Sequence, residues 1–78
     1  MIDNRKEFRE IRKNIGQNIH DIRKKKRMTL KKLSKLSHIR VNLLDQYEIG
    51  KNQIGLNSMM NIANSLEVSM KEFLNSGK

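Results

Sequence analysis

Between Met28 and Gly50 the chain reads MTLKKLSKLSHIRVNLLDQYEIG, and its apolar positions follow two short helical rhythms separated by a polar break. Thr29 stands where it can cap a helix whose inward side carries Leu30, Leu33 and Leu36. Ser37-His38 interrupts that rhythm and Ile39 re-enters the core. A second helix over about 40–48 then buries Leu44 and Tyr47.

Upstream, Phe8, Ile11, Ile15, Ile19 and Ile22 recur at spacings of three and four, one stripe of an amphipathic helix. Asp3 or Asn4 can cap it, and the basic run at 24–27 suits its C-terminal end by dipole complementarity. Gly16 falls mid-pattern, where glycine costs about 1 kcal/mol against alanine. The helix is therefore expected to start near Gly16. Residues 1–13 form a basic N-terminal extension, with 4–14 as a preceding turn or a prolongation of the helix.

Downstream of Gly50 comes a polar loop, Lys51–Gly55. Leu56, Met59, Met60, Ala63 and Leu66 then make a helical face, with Asn57 as a possible cap. A turn at Glu67-Val68 leads to a last short helix, Ser69–Leu74, with Ser69 and Glu72 spaced as a capping box. Five helices joined by short loops predict one all-α domain over residues 1–78, with no internal repeat and no linker.

Charge narrows the partners. The net charge is +9, and residues 1–27 carry ten Lys and Arg against four acids, while residues 28–78 carry seven against four. A small domain this cationic favours polyanions, meaning nucleic acid or an anionic membrane surface. The chain lacks cysteine, so neither a disulfide framework nor a thiolate metal site is expected. One Tyr, two Phe and no Pro argue against a sheet protein or an aromatic base-stacking platform. No apolar run is long enough to span a bilayer and the N-terminus is charged, so a cytoplasmic, nucleoid-associated protein is expected. No nucleophile–base pair, carboxylate dyad or phosphate-cradling glycine loop is present, which points away from an enzyme.

Two short helices joined by a tight turn form the unit that places its second helix in the major groove of DNA. The pieces IGQNIHDIRKKKRMT, LSKLSHI, LLDQYEIGKNQ and LNSMMNIANSLEVSMKEFL occur in that order over residues 16–74. In this the chain resembles the Cro/repressor (XRE) helix-turn-helix family. The resemblance implies a compact five-helix, lambda-repressor-like DNA-binding domain. It also implies a transcriptional regulator, repressor-like, that binds a pseudo-palindromic operator as a homodimer. By the same resemblance Arg23 and Glu48 form a structural ion pair tying the first helix to the end of the recognition helix.

The residue chemistry can be read independently. Arg40, Val41 and Asn42 occupy the first turn of the second motif helix, and Asp45 and Gln46 lie one turn further along the same face. Arg pairs bidentately with guanine, Asn and Gln with adenine, and Val41 suits a thymine methyl. Candidates for the phosphate backbone are Thr29, Lys31, Lys32, Leu43, Lys51, Asn52 and Gln53. Val68, Met70, Phe73 and Leu74 offer more apolar surface than so small a core absorbs, and are the candidate dimer interface.

Several positions depart from the family pattern. Leu30 stands where members often carry a polar Gln, His38 replaces the turn glycine, and Arg40 replaces the usual Ser, Thr or Asp cap. Ile54 stands where many have proline, which resembles the controller proteins of restriction-modification systems. His20 reads as an exposed helix residue, and two histidines without cysteine partners make a zinc site improbable. No cofactor and no small-molecule ligand is expected, and regulation is expected to follow protein concentration. A restriction-modification controller or an antitoxin-like autoregulator is an alternative within the same class. A different class, a basic amphipathic module docking on a membrane or a partner protein, leaves the polar break and the second helix unexplained.

Overall fold

The computed structural model describes residues 2–75. Its longest element, α1 (Asn4–Lys25), is opened by Asp3, whose carboxylate accepts the Arg5 backbone N–H at 3.0 Å. The Arg5 side chain also hydrogen-bonds Asp3 and holds its carboxyl below the usual carboxylate range. Arg23, Lys24 and Lys25 fill the last turn, where cations oppose the negative end of the helix dipole.

The expected start at Gly16 is corrected: α1 runs through it without a break. Gly16 is buried where α1 crosses the end of the helix Val41–Glu48. A Cβ there would fall on the Tyr47 carbonyl oxygen and 2.7 Å from that of Glu48. The glycine is a close-approach residue, and its propensity cost is offset by the helix contact it permits.

Three further α-helices follow: α2 (Leu30–Ser37), α3 (Val41–Glu48) and α4 (Leu56–Leu66). A 3-10 turn, Met70–Leu74, closes the described chain. Among the described residues there is no strand. The expected all-α class therefore holds, with four α-helices and a 3-10 turn in place of five helices. In the 3-10 turn the Ser69 hydroxyl accepts the Lys71 N–H, while Glu72 gives its N–H to the Ser69 carbonyl; the expected capping box does not form.

The core draws side chains from every element: Ile19 from α1, Leu33 from α2, Ile39 from the turn, and Leu44 and Tyr47 from α3. Met59, Ile62, Ala63 and Leu66 of α4 and Phe73 complete it. α2 packs against α3 and α4, while α1 packs against α3 and the 3-10 turn. Asn18 Nδ2 donates to the carbonyls of Phe73 and Asn75, pinning the C-terminal turn along α1. Every buried side-chain nitrogen and oxygen among the described residues has a hydrogen-bond partner.

Several inward assignments shift by one position. Leu36 is 46% exposed and Ser37 takes its buried place, because a spacing of three drifts about 60° on a helix of 3.6 residues per turn. Leu56 and Met60 are exposed, Ile62 is buried, and Gly55, not Asn57, is the α4 N-cap. Phe8 and Ile11 lie on the exposed part of α1, beyond the core. Phe73 is fully buried, which removes it from the candidate dimer surface: its ring is needed to close the core beneath α1 and α4. Val68 and Met70 pack partly against that core, and Leu74 remains exposed.

Candidate nucleic-acid interface

The turn between α2 and α3 is built by three local devices. His38 ends α2 in the left-handed region at φ 63°, and its N–H closes onto the Ser34 carbonyl. The Ser34 hydroxyl donates to the Ile39 carbonyl, and Ile39 N–H donates to the Ser37 hydroxyl at 3.3 Å. Ile39 is thereby anchored in the core, and it sets the direction in which α3 departs. Thr29 caps α2, accepting the Lys32 N–H at 3.0 Å.

α3 divides cleanly between two faces. Leu44, Tyr47 and Glu48 point inward. Asn42, Asp45, Gln46 and Ile49 lie on the opposite side by helical spacing, and Arg40 and Val41 are exposed at its start. Arg40 has no side-chain capping bond, so the N–H groups of Val41, Asn42 and Leu43 point out of the helix end without an intrahelical acceptor. Gln46 is half-buried, its side-chain oxygen accepting from Asn52 Nδ2, which leaves the Gln46 amide nitrogen free to donate outward.

The candidate phosphate-binding cations are exposed: Lys31 and Lys32 in the first turn of α2, and Lys51 just past α3. Thr29 and Gln53 are exposed beside them, and Asn52 is held by Gln46. Leu43 joins this group only through its backbone N–H at the start of α3. Its side chain is half-buried and packs against the core, so an apolar group there offers phosphate nothing. Leu30, too, is half-buried against the core.

Behind α3 lies a buried polar cluster. Arg23 Nε donates to Glu48 Oε2 at 2.6 Å, Arg23 Nη2 to Glu48 Oε1 at 3.0 Å, and Arg23 Nη1 to the Met28 carbonyl at 2.7 Å. His20, expected to be merely exposed, joins it: its Nδ1 lies 2.9 Å from Glu48 Oε1. His20 and Arg23 lie one turn apart on α1, and both reach the Glu48 carboxylate. Ile49 was also missed. It is 60% exposed at i+4 from Asp45, an apolar side chain on the same outward face.

The family model described as helix-turn-helix matches residues 19–73. The chain belongs to the Cro/repressor (XRE) helix-turn-helix family of DNA-binding transcription regulators. Among solved structures, the restriction-modification controller protein C.AhdI from Aeromonas hydrophila is similar in fold. Its TM-score is 0.76 at 21% identity, over 78% of this chain and 92% of that chain. The clp gene regulator ClgR from C. glutamicum is similar with a TM-score of 0.79 at 22% identity, over 82% of this chain and 83% of that one. No curated protein matches the chain. In this helix-turn-helix protein α2 and α3 are the motif, and most of α1 precedes the matched region.

Proposed function

We propose that this protein binds a pseudo-palindromic operator in duplex DNA as a homodimer and regulates transcription there in the cytoplasm. Arg40, Val41, Asn42, Asp45 and Gln46 face the base edges, and Thr29, Lys31, Lys32, Lys51, Asn52 and Gln53 hold the backbone on either side. The supporting observation is the division of α3. Its inner face is locked by Leu44, Tyr47 and the Arg23–Glu48 pair, while its outer face presents Asn42, Asp45 and the half-buried Gln46 beside the apolar Val41 and Ile49, with Arg40 and Lys51 at its two ends.

Dimerisation follows from information content. One eight-residue helix reads a few base pairs, and two copies about 34 Å apart read successive major grooves. Leu74, with the exposed edges of Val68 and Met70, supplies the apolar contact. Within this class a restriction-modification controller is the second reading, favoured by the half-buried Ile54 and by the shared fold of such a controller.

Selection from random duplexes at physiological salt tests the proposal. The expected product is an inverted repeat with half-sites one helical turn apart. Enrichment of no sequence, or of a single half-site bound by a monomer, defeats it.

A further inference from the structure

Upstream of the family match, the N-terminal half of α1 sorts its charges by face. At 100° per residue from Gly16, the side chains of Arg5, Lys6, Arg9, Arg12 and Lys13 fall within an arc of about 120° that contains the Gly16 direction. Glu7 lies diametrically opposite Gly16, and Glu10 falls outside the arc, about 40° beyond its Lys6 edge. The arc is aimed by contacts. Gly16 sits on the last carbonyls of α3, and Lys13 crowds Gly50, where a Cβ would lie 2.8 Å from the Lys13 Cα. Arg12 Nε donates to the Gly50 carbonyl at 2.9 Å, with its guanidinium 5.6 Å from the Phe8 ring centroid. Ile15 packs against the core on the flank, so the rotation of the helix is set.

Gly50 directly precedes Lys51, so the arc continues the cationic edge that borders the recognition helix. From Lys13 to Arg5 the helix rises about 12 Å, carrying positive charge that far past the end of α3. Arg12 is committed to Gly50, but residues 2–11 are exposed. The Arg5–Asp3 pair at 3.1 Å has side chains 86% and 60% exposed, and such a pair exchanges readily for a stronger anion.

We propose that Arg5, Lys6 and Arg9 form a second phosphate-binding strip, which grips DNA backbone outside the base pairs that α3 reads. The inference rests on the DNA-binding reading above and extends its footprint.

The test uses the full chain and the triple variant Arg5→Gln, Lys6→Gln, Arg9→Gln, on the selected operator with long flanks. Each phosphate contact on duplex DNA contributes about 0.9 to the slope of log affinity against log salt. The triple variant should flatten that slope by about 2–3 per protomer. It should also lose hydroxyl-radical protection outside the half-sites while keeping protection inside them. Lys71→Gln, a charge loss on the C-terminal turn, should leave the protection pattern unchanged. An unchanged slope and unchanged protection in the triple variant, with the unmodified chain binding normally, overturn the strip and leave the α3 reading standing. Failure of the unmodified chain to bind any duplex overturns both. Loss of binding to phosphatidylglycerol vesicles at an unchanged DNA slope overturns the strip in favour of a membrane surface.

Discussion

Arg23 of α1 grips Glu48, the last residue of α3, through two hydrogen bonds of 2.6 and 3.0 Å, with both side chains less than a tenth exposed. The pair fixes where the recognition helix ends relative to the longest helix. Buried ion pairs are costly to break because the surviving charge is stranded without water. Arg23→Met or Glu48→Leu alone should therefore cost about 3–5 kcal/mol. The double variant should recover much of that loss, since two apolar side chains strand no charge. Urea melts of the four proteins give the coupling, and a coupling near zero would show two independent charges. Each survivor keeps one polar neighbour, His20 for Glu48 and the Met28 carbonyl for Arg23, so the two single variants should lose similar amounts.

Gly16→Ala should destabilise despite the better helix former. Alanine gains about 1 kcal/mol in propensity. The added Cβ meets two backbone carbonyls of α3 rather than a flexible side chain, so α1 must move away from α3. Overpacking of this kind costs about 1–3 kcal/mol. Thermal melts should place the variant below the parent, and a raised midpoint would mean that α1 and α3 are not in close approach.

Most of the motif was legible because single positions left few choices. Thr29 had an orphan N–H to cap, Ile39 was an isolated apolar residue between polar breaks, and Leu44 and Tyr47 shared one face. The errors have geometric causes. Leu30, Leu33 and Leu36 recur every three residues, which no α-helix can keep on one side, so Leu36 rotates outward and Ser37 inward. Leu56 and Met60 fit the apolar rhythm of α4, but among the described residues no element covers them. Gly16 looked like a break because its reason lies on another helix, far away in sequence. Local pattern carries no information about such a contact. The tie of His20 to Glu48 was hidden in the same way.

His38 holds φ 63° and ψ 30°, a conformation that costs a residue bearing a Cβ roughly 1–2 kcal/mol. Histidine is among the side chains that bear it best, and glycine adds entropy to the unfolded chain, so the two effects partly cancel. His38→Gly should still stabilise, by about 0.5–1 kcal/mol, with a midpoint rise of a few degrees in a domain of this size. DNA affinity should change little, because the α2–α3 angle is kept by Ser34, Ser37 and Ile39. A lower midpoint would indicate that the His38 side chain makes a contact worth more than the strain.

Gln46 and Asn52 act as a unit, the Asn52 amide donating to the Gln46 side-chain oxygen. Gln46→Ala and Asn52→Ala should therefore relax preference at the same base pair, each by up to about 1–3 kcal/mol of discrimination. Gln46→Ala removes the proposed base-reading amide, and Asn52→Ala leaves that amide free to rotate. Binding to a panel of single-base operator variants would show the shared position. Loss at two different positions would break the link between them.

Arg40 separates stability from binding. It occupies the N-cap of α3 without a capping bond, whereas Thr29 makes one at the start of α2. Serine at position 40 can accept an orphan N–H of α3, a change worth about 0.5–2 kcal/mol at helix starts. The same substitution removes an exposed cation at the N-terminal end of the helix. Arg40→Ser should therefore melt higher than the parent and bind its operator more weakly, with a salt slope shallower by about 0.9 per protomer if the guanidinium meets phosphate. If it meets guanine instead, the slope stays and discrimination at one base pair falls by about 1–3 kcal/mol. Fluorescence anisotropy at several salt concentrations, paired with thermal melts, reads both effects. A variant that is more stable and binds as tightly as the parent, with unchanged selectivity, would take Arg40 off the interface.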